Sequence, residues 1–130
     1  MKKFSATWAS SRNPGKQRKY FFNAPLHIRN RFMTAKLAKE LAKKHGIKRL
    51  AVRKGDKVRI ARGQFRGRTG KVNRADPSRV RIYIDGIDRT KTEGSKAFYP
   101  VHPSNVIIIE LSLEDRRRIK KPGKKDEKQA

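Results

Sequence analysis

The strongest constraint on the fold is the spacing of apolar residues after Leu50. Val58 and Ile60 alternate with Lys57 and Arg59, and Val80, Ile82 and Ile84 alternate with Arg81 and Tyr83. A period of two puts one set of side chains on a single face of a strand. The runs Lys71-Val72, Ala97-Phe98-Tyr99 and Val106-Ile107-Ile108-Ile109 extend the series. Turn formers separate them: Lys54-Gly55-Asp56, residues 63–70, Asp76-Pro77-Ser78, Asp85-Gly86 and His102-Pro103-Ser104-Asn105. Strands this short, interrupted this often, predict a small antiparallel barrel of about five strands over residues 50–112. Its wet face carries Arg59, Lys71 and Arg81. Residues 106–109 are apolar on both faces and need a cover, for which the preceding segment is the candidate.

That segment, residues 24–49, has a different period. Asn23 suits an N-cap and Pro25 a first helical turn. The pattern restarts at Thr34, with Leu37, Ala38 and Leu41 on one face, Lys36, Lys39, Lys43 and Lys44 around it, and Gly46 as C-terminal cap. Two short helices are expected, packed on the barrel because neither is stable alone. Residues 1–23 show neither period and are expected to form a basic extended arm, disordered in isolation. Ser112-Leu113-Glu114-Asp115 reads as a capped helix start, so residues 113–130 are expected to form a basic C-terminal helix and tail. The fold class is mainly β with short helices.

Charge narrows the function. The 130 residues include 36 Lys and Arg against 11 Asp and Glu, a formal net charge of +25. Residues 1–50 hold 14 basic side chains and one acid, residues 51–113 hold 14 and 6, and residues 114–130 hold 8 and 4. The acids of the middle stretch sit mostly at turns, as in an ordinary folded module; the ends read as basic extensions. Such a chain seeks a polyanion, nucleic acid before an anionic membrane surface. The absence of Cys excludes disulfides, thiolate chemistry and Cys-based metal sites. No apolar run is long enough to span a bilayer, and the N-terminus has no signal-peptide apolar stretch. His27, His45 and His102 are too scattered for a metal site. Asp85 and Asp88 read as turn residues, and residues 63–70 lack the Gly-Lys-Ser/Thr ending of a nucleotide-binding loop. Neither an enzyme nor a cofactor is expected.

Residues 62–70 are the informative stretch. Gly63, Gly67 and Gly70 permit backbone positions that a Cβ resists. Arg62, Gln64, Phe65, Arg66, Arg68 and Thr69 lie between and beside them. Cations engage phosphates, and an aromatic ring stacks on a splayed base. In the arm, Lys16-Gln17-Arg18-Lys19 precedes Tyr20-Phe21-Phe22, a pattern that lies along phosphates and anchors by aromatic burial. Trp8 has two open readings, insertion between RNA helices or no role.

Lys54-Gly55-Asp56-Lys57-Val58-Arg59-Ile60, Arg62-Gly63, Gly67 and Gly70-Lys71-Val72 resemble a KOW motif. Lys16 to Lys19, Phe22-Asn23-Ala24-Pro25-Leu26-His27-Ile28-Arg29 and His102-Pro103-Ser104-Asn105-Val106 resemble the flanks of large-ribosomal-subunit protein twenty-four of archaea and its eukaryotic counterpart, protein twenty-six. The short tail favours the archaeal form. The resemblance implies an SH3-like barrel in the large subunit of cytoplasmic ribosomes, bound to large-subunit ribosomal RNA near its 5′ region and close to the exit tunnel. It also implies an early role in assembly, neighbouring ribosomal proteins as partners, and no homo-oligomer. The expected RNA contacts are Arg12, Lys16, Arg18, Lys19, Tyr20 and Phe22 in the arm and His27, Arg29 and Arg31 in the helical segment. In the barrel they are Arg53, Lys54, Arg62, Gln64, Phe65, Arg66, Gly67, Arg68, Thr69, Lys96 and His102, followed by Arg116 and Arg117. Two other classes fit a basic KOW chain. A transcription elongation accessory protein usually has an extra α/β domain, for which residues 24–49 leave no room. A nucleoid-coating protein would bind duplex DNA as well as folded RNA.

Overall fold

Val58 and Ile60 are buried while Lys57 and Arg59 face water, as a period of two requires. The computed structural model describes residues 4–115 and 117–119. In chain order its elements are α1 (Pro14–Asn23), α2 (Leu26–Phe32), β1 (Thr34–Leu37), α3 (Lys39–His45), β2 (Arg49–Ala51), β3 (Lys57–Ile60), β4 (Thr69–Asp76), β5 (Arg81–Ile84), β6 (Asp88–Thr90) and β7 (Lys96–Phe98). A 3-10 turn at Pro103–Asn105 then leads into β8 (Val106–Glu110). Six strands form one sheet in the order β2-β1-β8-β3-β4-β5, and β6 and β7 form a separate hairpin. Ile82 of β5 and Val101 exchange backbone bonds of 2.8 and 2.9 Å. This bridge returns the outer edge of the sheet to the chain that feeds β8, in the middle of the sheet. No helix among the described residues is long and apolar enough to cross a membrane.

The inward positions of the strands make the core. Val58, Ile60, Val72, Ile82, Ile84, Val106 and Ile108 are joined by Ala35 and Leu37 of β1 and by Met33, Val52, Ile87 and Val101 between elements. Each large aliphatic side chain contributes about 1.5–3 kcal/mol on burial. Gly70 permits β4 to lie close against the end of β5: a Cβ there would lie 2.5 Å from the Asp85 carbonyl oxygen and 2.6 Å from Ile84 Cγ2. The β4–β5 turn is held by Asp76, whose Oδ1 accepts from Ser78 Oγ at 2.8 Å and Ser78 N at 3.1 Å. The Ser78 hydroxyl above all keeps the Asp76 carboxyl below its ordinary pKa. Val80, in the same turn, has φ +54°, a left-handed conformation that a β-branched residue adopts at a cost.

The architecture is mainly β, as expected, but differs from the sequence reading in three places. First, the described residues include eight strands, two of which, β1 and β2, begin before the segment expected to hold about five. Residues 34–37, expected to open a helix, form β1, with Ala35 and Leu37 buried. β1 pairs in parallel with β8 (Lys36 with Ile107, Leu37 with Ile108) and antiparallel with β2. That parallel partner lies far along the chain and leaves no local pattern. The helix that Gly46 closes, at φ +67°, is only α3. Second, the arm contains α1. Asn13 Oδ1 accepts from Gly15 N at 2.9 Å and Pro14 sits at the first helical position, so Asn13 is the cap and Asn23 ends a helix instead of starting one. Third, no helix begins at Ser112 among the described residues. Asp56 accepts the Ser112 N–H and Arg118 donates to the Ser112 carbonyl, which turns this stretch back on the sheet. Residues 120–130 of the expected helix and tail lie outside the described residues.

Candidate nucleic-acid interface

The loop between β3 and β4 is pinned at both ends and in the middle. Ile60 N donates to Arg68 O at 2.9 Å, Gly67 N to Ile60 O at 2.8 Å and Arg68 N to Phe65 O at 3.1 Å. Gly63 (φ +97°) and Gly67 (φ +86°) make the reversals that this bonding needs. The Phe65 ring packs edge-on against Tyr99, centroids 5.0 Å apart, and the Arg68 guanidinium lies 5.3 Å over it. Phe65 is therefore the anchor of the loop, with Arg68 over one face. Arg62, Gln64, Arg66, Arg68 and Thr69 are exposed around it. None of these arginines makes an ion pair among the described residues.

Beside this loop lies the β6–β7 hairpin, and between them opens a cleft of about 790 Å³. Arg62, Arg81, Arg89 and Lys91 line it against one acid, Glu93. Phe98, 46% exposed, pairs with Asp88 and so presents its side chain on the hairpin face opposite Arg89, which pairs with Ala97. His102 lines the cleft too, and its Nδ1 accepts from Ser104 N at 3.2 Å, capping the 3-10 turn. Burial, then the charge of Arg81, lowers the His102 pKa from its ordinary value.

The arm presents a cationic face on an aromatic base. Trp8 stacks on Tyr20 at 4.0 Å and 16°, Phe4 lies 5.0 Å from the same ring, and Phe21 packs at 4.5 Å on Phe32 of α2. Trp8 and Tyr20 are thus committed to the chain's own packing, while Phe22 is 83% exposed. Arg12, Lys16, Arg18 and Lys19 are exposed, as are His27 and Arg31 on α2.

Arg29 is occupied differently. It donates to Ala24 O at 2.9 Å, to Phe22 O at 2.6 Å and to Ser78 O, clamping the end of α1 to the β4–β5 turn. Arg53 pairs with Asp115 at 2.8 Å, and that hydrogen bond is the main reason the Asp115 carboxyl titrates low. Lys54, Lys96 and Arg117 are exposed, Gly67 contributes only its backbone turn, and Arg116 lies outside the described residues.

Asp56 and Arg118 form a buried pair that the sequence reading missed. Arg118 Nη1 donates to Asp56 Oδ1 at 2.6 Å and to Ser112 O at 2.9 Å; Nη2 donates to Asp56 Oδ2 and, at 2.9 Å, to Ala51 O. The Asp56 carboxylate also accepts the backbone N–H groups of Arg53 and Ser112, both at 3.0 Å. Arg81, Arg89 and Lys91, which line the cleft, were not among the expected contacts, although Arg81 was placed on the wet face. Their only local signal is basic residues near an aromatic, and the cleft exists only once the hairpin lies beside the loop.

Taken together, the exposed cations lie on a pinned loop, on a capped helix and around a cleft, an arrangement suited to a folded polyanion. Residues 11–125 match the family model described as ribosomal proteins L26 (eukaryotic) and L24p (archaeal). Members of this family are generally not enzymes. The chain belongs to that family and is a structural protein of the large ribosomal subunit.

Proposed function

We propose that this chain binds large-subunit ribosomal RNA by its backbone and shape, and stabilises RNA helices that would otherwise repel one another. The observation that carries the reading is the pinned β3–β4 loop, which holds Arg62, Arg66 and Arg68 exposed and free of ion pairs among the described residues. Because hydrogen bonds and Phe65 already fix the loop, binding orders little backbone there. Lys16, Arg18 and Lys19 on α1 and Arg31 on α2 offer further phosphate contacts. Attachment near the 5′ region of the RNA, close to the exit tunnel, and early arrival during assembly belong to the same reading and draw their support from the family.

The test is a titration of the full chain with a large-subunit ribosomal RNA fragment at increasing salt. Release of counterions from roughly 6–10 phosphates lowers affinity by about 10³–10⁵ between 50 and 200 mM salt. The Arg66→Ala/Arg68→Ala variant flattens the log–log slope by about two. Its stability falls by at most about 1 kcal/mol, from the lost contact of Arg68 with Phe65. A salt-independent affinity refutes the reading.

A further inference from the structure

Helical spacing puts Arg18, Phe21 and Phe22 of α1 on one face, three and four residues apart. That face fronts the outer surface of β5, where a period of two turns Arg81 and Tyr83 away from the buried Ile82 and Ile84. The antiparallel bridge of Ile82 with Val101 sets Pro100 beside Tyr83. Arg29 fixes the distance between the two walls, because it donates to Phe22 O on one side and to Ser78 O on the other. The cleft between them has a volume of about 710 Å³, within the roughly 300–1,000 Å³ of small-ligand clefts. Arg18 and Arg79 line it, exposed and free of ion pairs among the described residues, and no acid among those residues lines it. Phe21 is held on Phe32, and the Arg74 guanidinium lies 5.8 Å over the Tyr83 ring. Phe22, 83% exposed, makes no aromatic pair among the described residues. A duplex keeps its bases stacked and offers that ring no face. A nucleotide that has left its stack brings one anion and one π face together. An acidic peptide would satisfy the arginines but not the ring.

We propose that the cleft between α1 and β5 holds one unstacked nucleotide of the RNA, its base on Phe22 and its phosphate between Arg18 and Arg79. The proposal rests on the RNA-binding reading above and adds to it a site for a looped or bulged residue, with Arg29 as the brace that sets its width.

The experiment irradiates the full chain with a stem–loop RNA carrying 5-iodouridine in the loop, and with the same stem as a blunt duplex carrying the label inside. The expected result, mapped by mass spectrometry, is a crosslink to Phe22 from the loop label only. Titrations then measure the affinities. Phe22→Ala changes an exposed helix position, so the fold is retained, which a thermal melt verifies. It weakens stem–loop binding roughly 5- to 150-fold, with little effect on the duplex, and Phe22→Trp keeps the parent's affinity. Arg79→Gln flattens the log–log salt slope for the stem–loop by about one. If Phe22→Ala binds the stem–loop as tightly as the parent while Arg66→Ala/Arg68→Ala weakens both RNAs, the nucleotide site is refuted and the RNA-binding reading survives. If neither variant changes binding to either RNA, both fall. Displacement of the stem–loop by a polyglutamate peptide as effectively as by unlabelled stem–loop assigns the cleft to an acidic peptide and overturns the proposal.

Discussion

Removing either partner of the Asp56–Arg118 pair tests whether residues 111–119 are part of the folded unit. Breaking a buried ion pair by deleting one side costs about 3–5 kcal/mol, because the other charge stays uncompensated. The geometry ranks the two deletions. In Arg118→Met, Asp56 remains buried but still accepts the N–H groups of Arg53 and Ser112, so the loss falls near 3 kcal/mol. In Asp56→Leu those two N–H groups lose their acceptor as well, and each unsatisfied donor adds about 1–3 kcal/mol. Arg118, close to the end of the described chain, recovers part of that loss by swinging into water. The net expectation for Asp56→Leu is about 4–5 kcal/mol. Unfolding entropy of about 2.1 cal/mol/K per residue over 130 residues converts these values to Tm losses of about 11 °C and about 15–18 °C. Urea denaturation measures the free energies and calorimetry the melting temperatures. The double variant should lose about 1–3 kcal/mol less than the sum of the singles, since the residues act through one contact. An Arg118→Met variant within 1 kcal/mol of the parent, or strict additivity, refutes the argument.

Three more perturbations read other parts of the fold. Gly70→Ala drives a methyl into the Asp85 carbonyl and Ile84; the expected loss is about 1–3 kcal/mol by chemical denaturation, and a neutral variant would contradict the close strand approach. Arg29→Ala frees three carbonyls; amide exchange in α1 should accelerate while the urea midpoint of the β sheet moves little, and Arg29→Lys should not restore protection because an ammonium lacks the guanidinium fork. His102 supplies the pH dependence. Its folded pKa lies below the unfolded value of 6.5, so between those two values the unfolded chain binds more protons and stability falls as pH drops. The urea midpoint should decline on acidification below about pH 6.5, and His102→Asn, which keeps a cap acceptor without a titrating ring, should show a shallower decline in that window.

Local patterns made the central strands of the sheet legible. Val58 and Ile60, Ile82 and Ile84, and Val106 and Ile108 alternate in the sequence and are buried in the structure. The β3–β4 loop was equally clear, because glycines at 63, 67 and 70 leave few alternatives. What stayed hidden depends on distant partners. Ala35 and Leu37 fit a helix face as well as a strand, and β8 decides between them. Tyr20 was read as an aromatic anchor and RNA contact, and nothing in its neighbourhood announces that Trp8 stacks on it. Arg29 and Arg118 looked like two more surface cations. A residue's chemistry does not state whether it points out to phosphate or in to carbonyls, and only the tertiary arrangement of acceptors does.

Those two arginines explain how a chain so short of apolar material holds the end of α1 and the stretch around Ser112 in place. No residue of α1 is fully buried; aromatic contacts of Tyr20 and Phe21 with Phe32 join it to α2, and hydrogen bonds from Arg29 tie its end to the β4–β5 turn. A guanidinium carries five donors in a fixed plane and can satisfy several carbonyls at once, which Arg29 does for α1 and Arg118 for residues 111–119. Using guanidinium groups as staples, with a carboxylate only where one lies fully buried, leaves the other cations for the surface. It also alters the energetics proposed for binding. An arm that ordered only on contact would lose about 1–2 kcal/mol of backbone entropy per residue at that moment. With α1 capped by Asn13 and clamped by Arg29, Lys16, Arg18 and Lys19 already stand on a helix before RNA arrives. More of the electrostatic gain then appears as affinity.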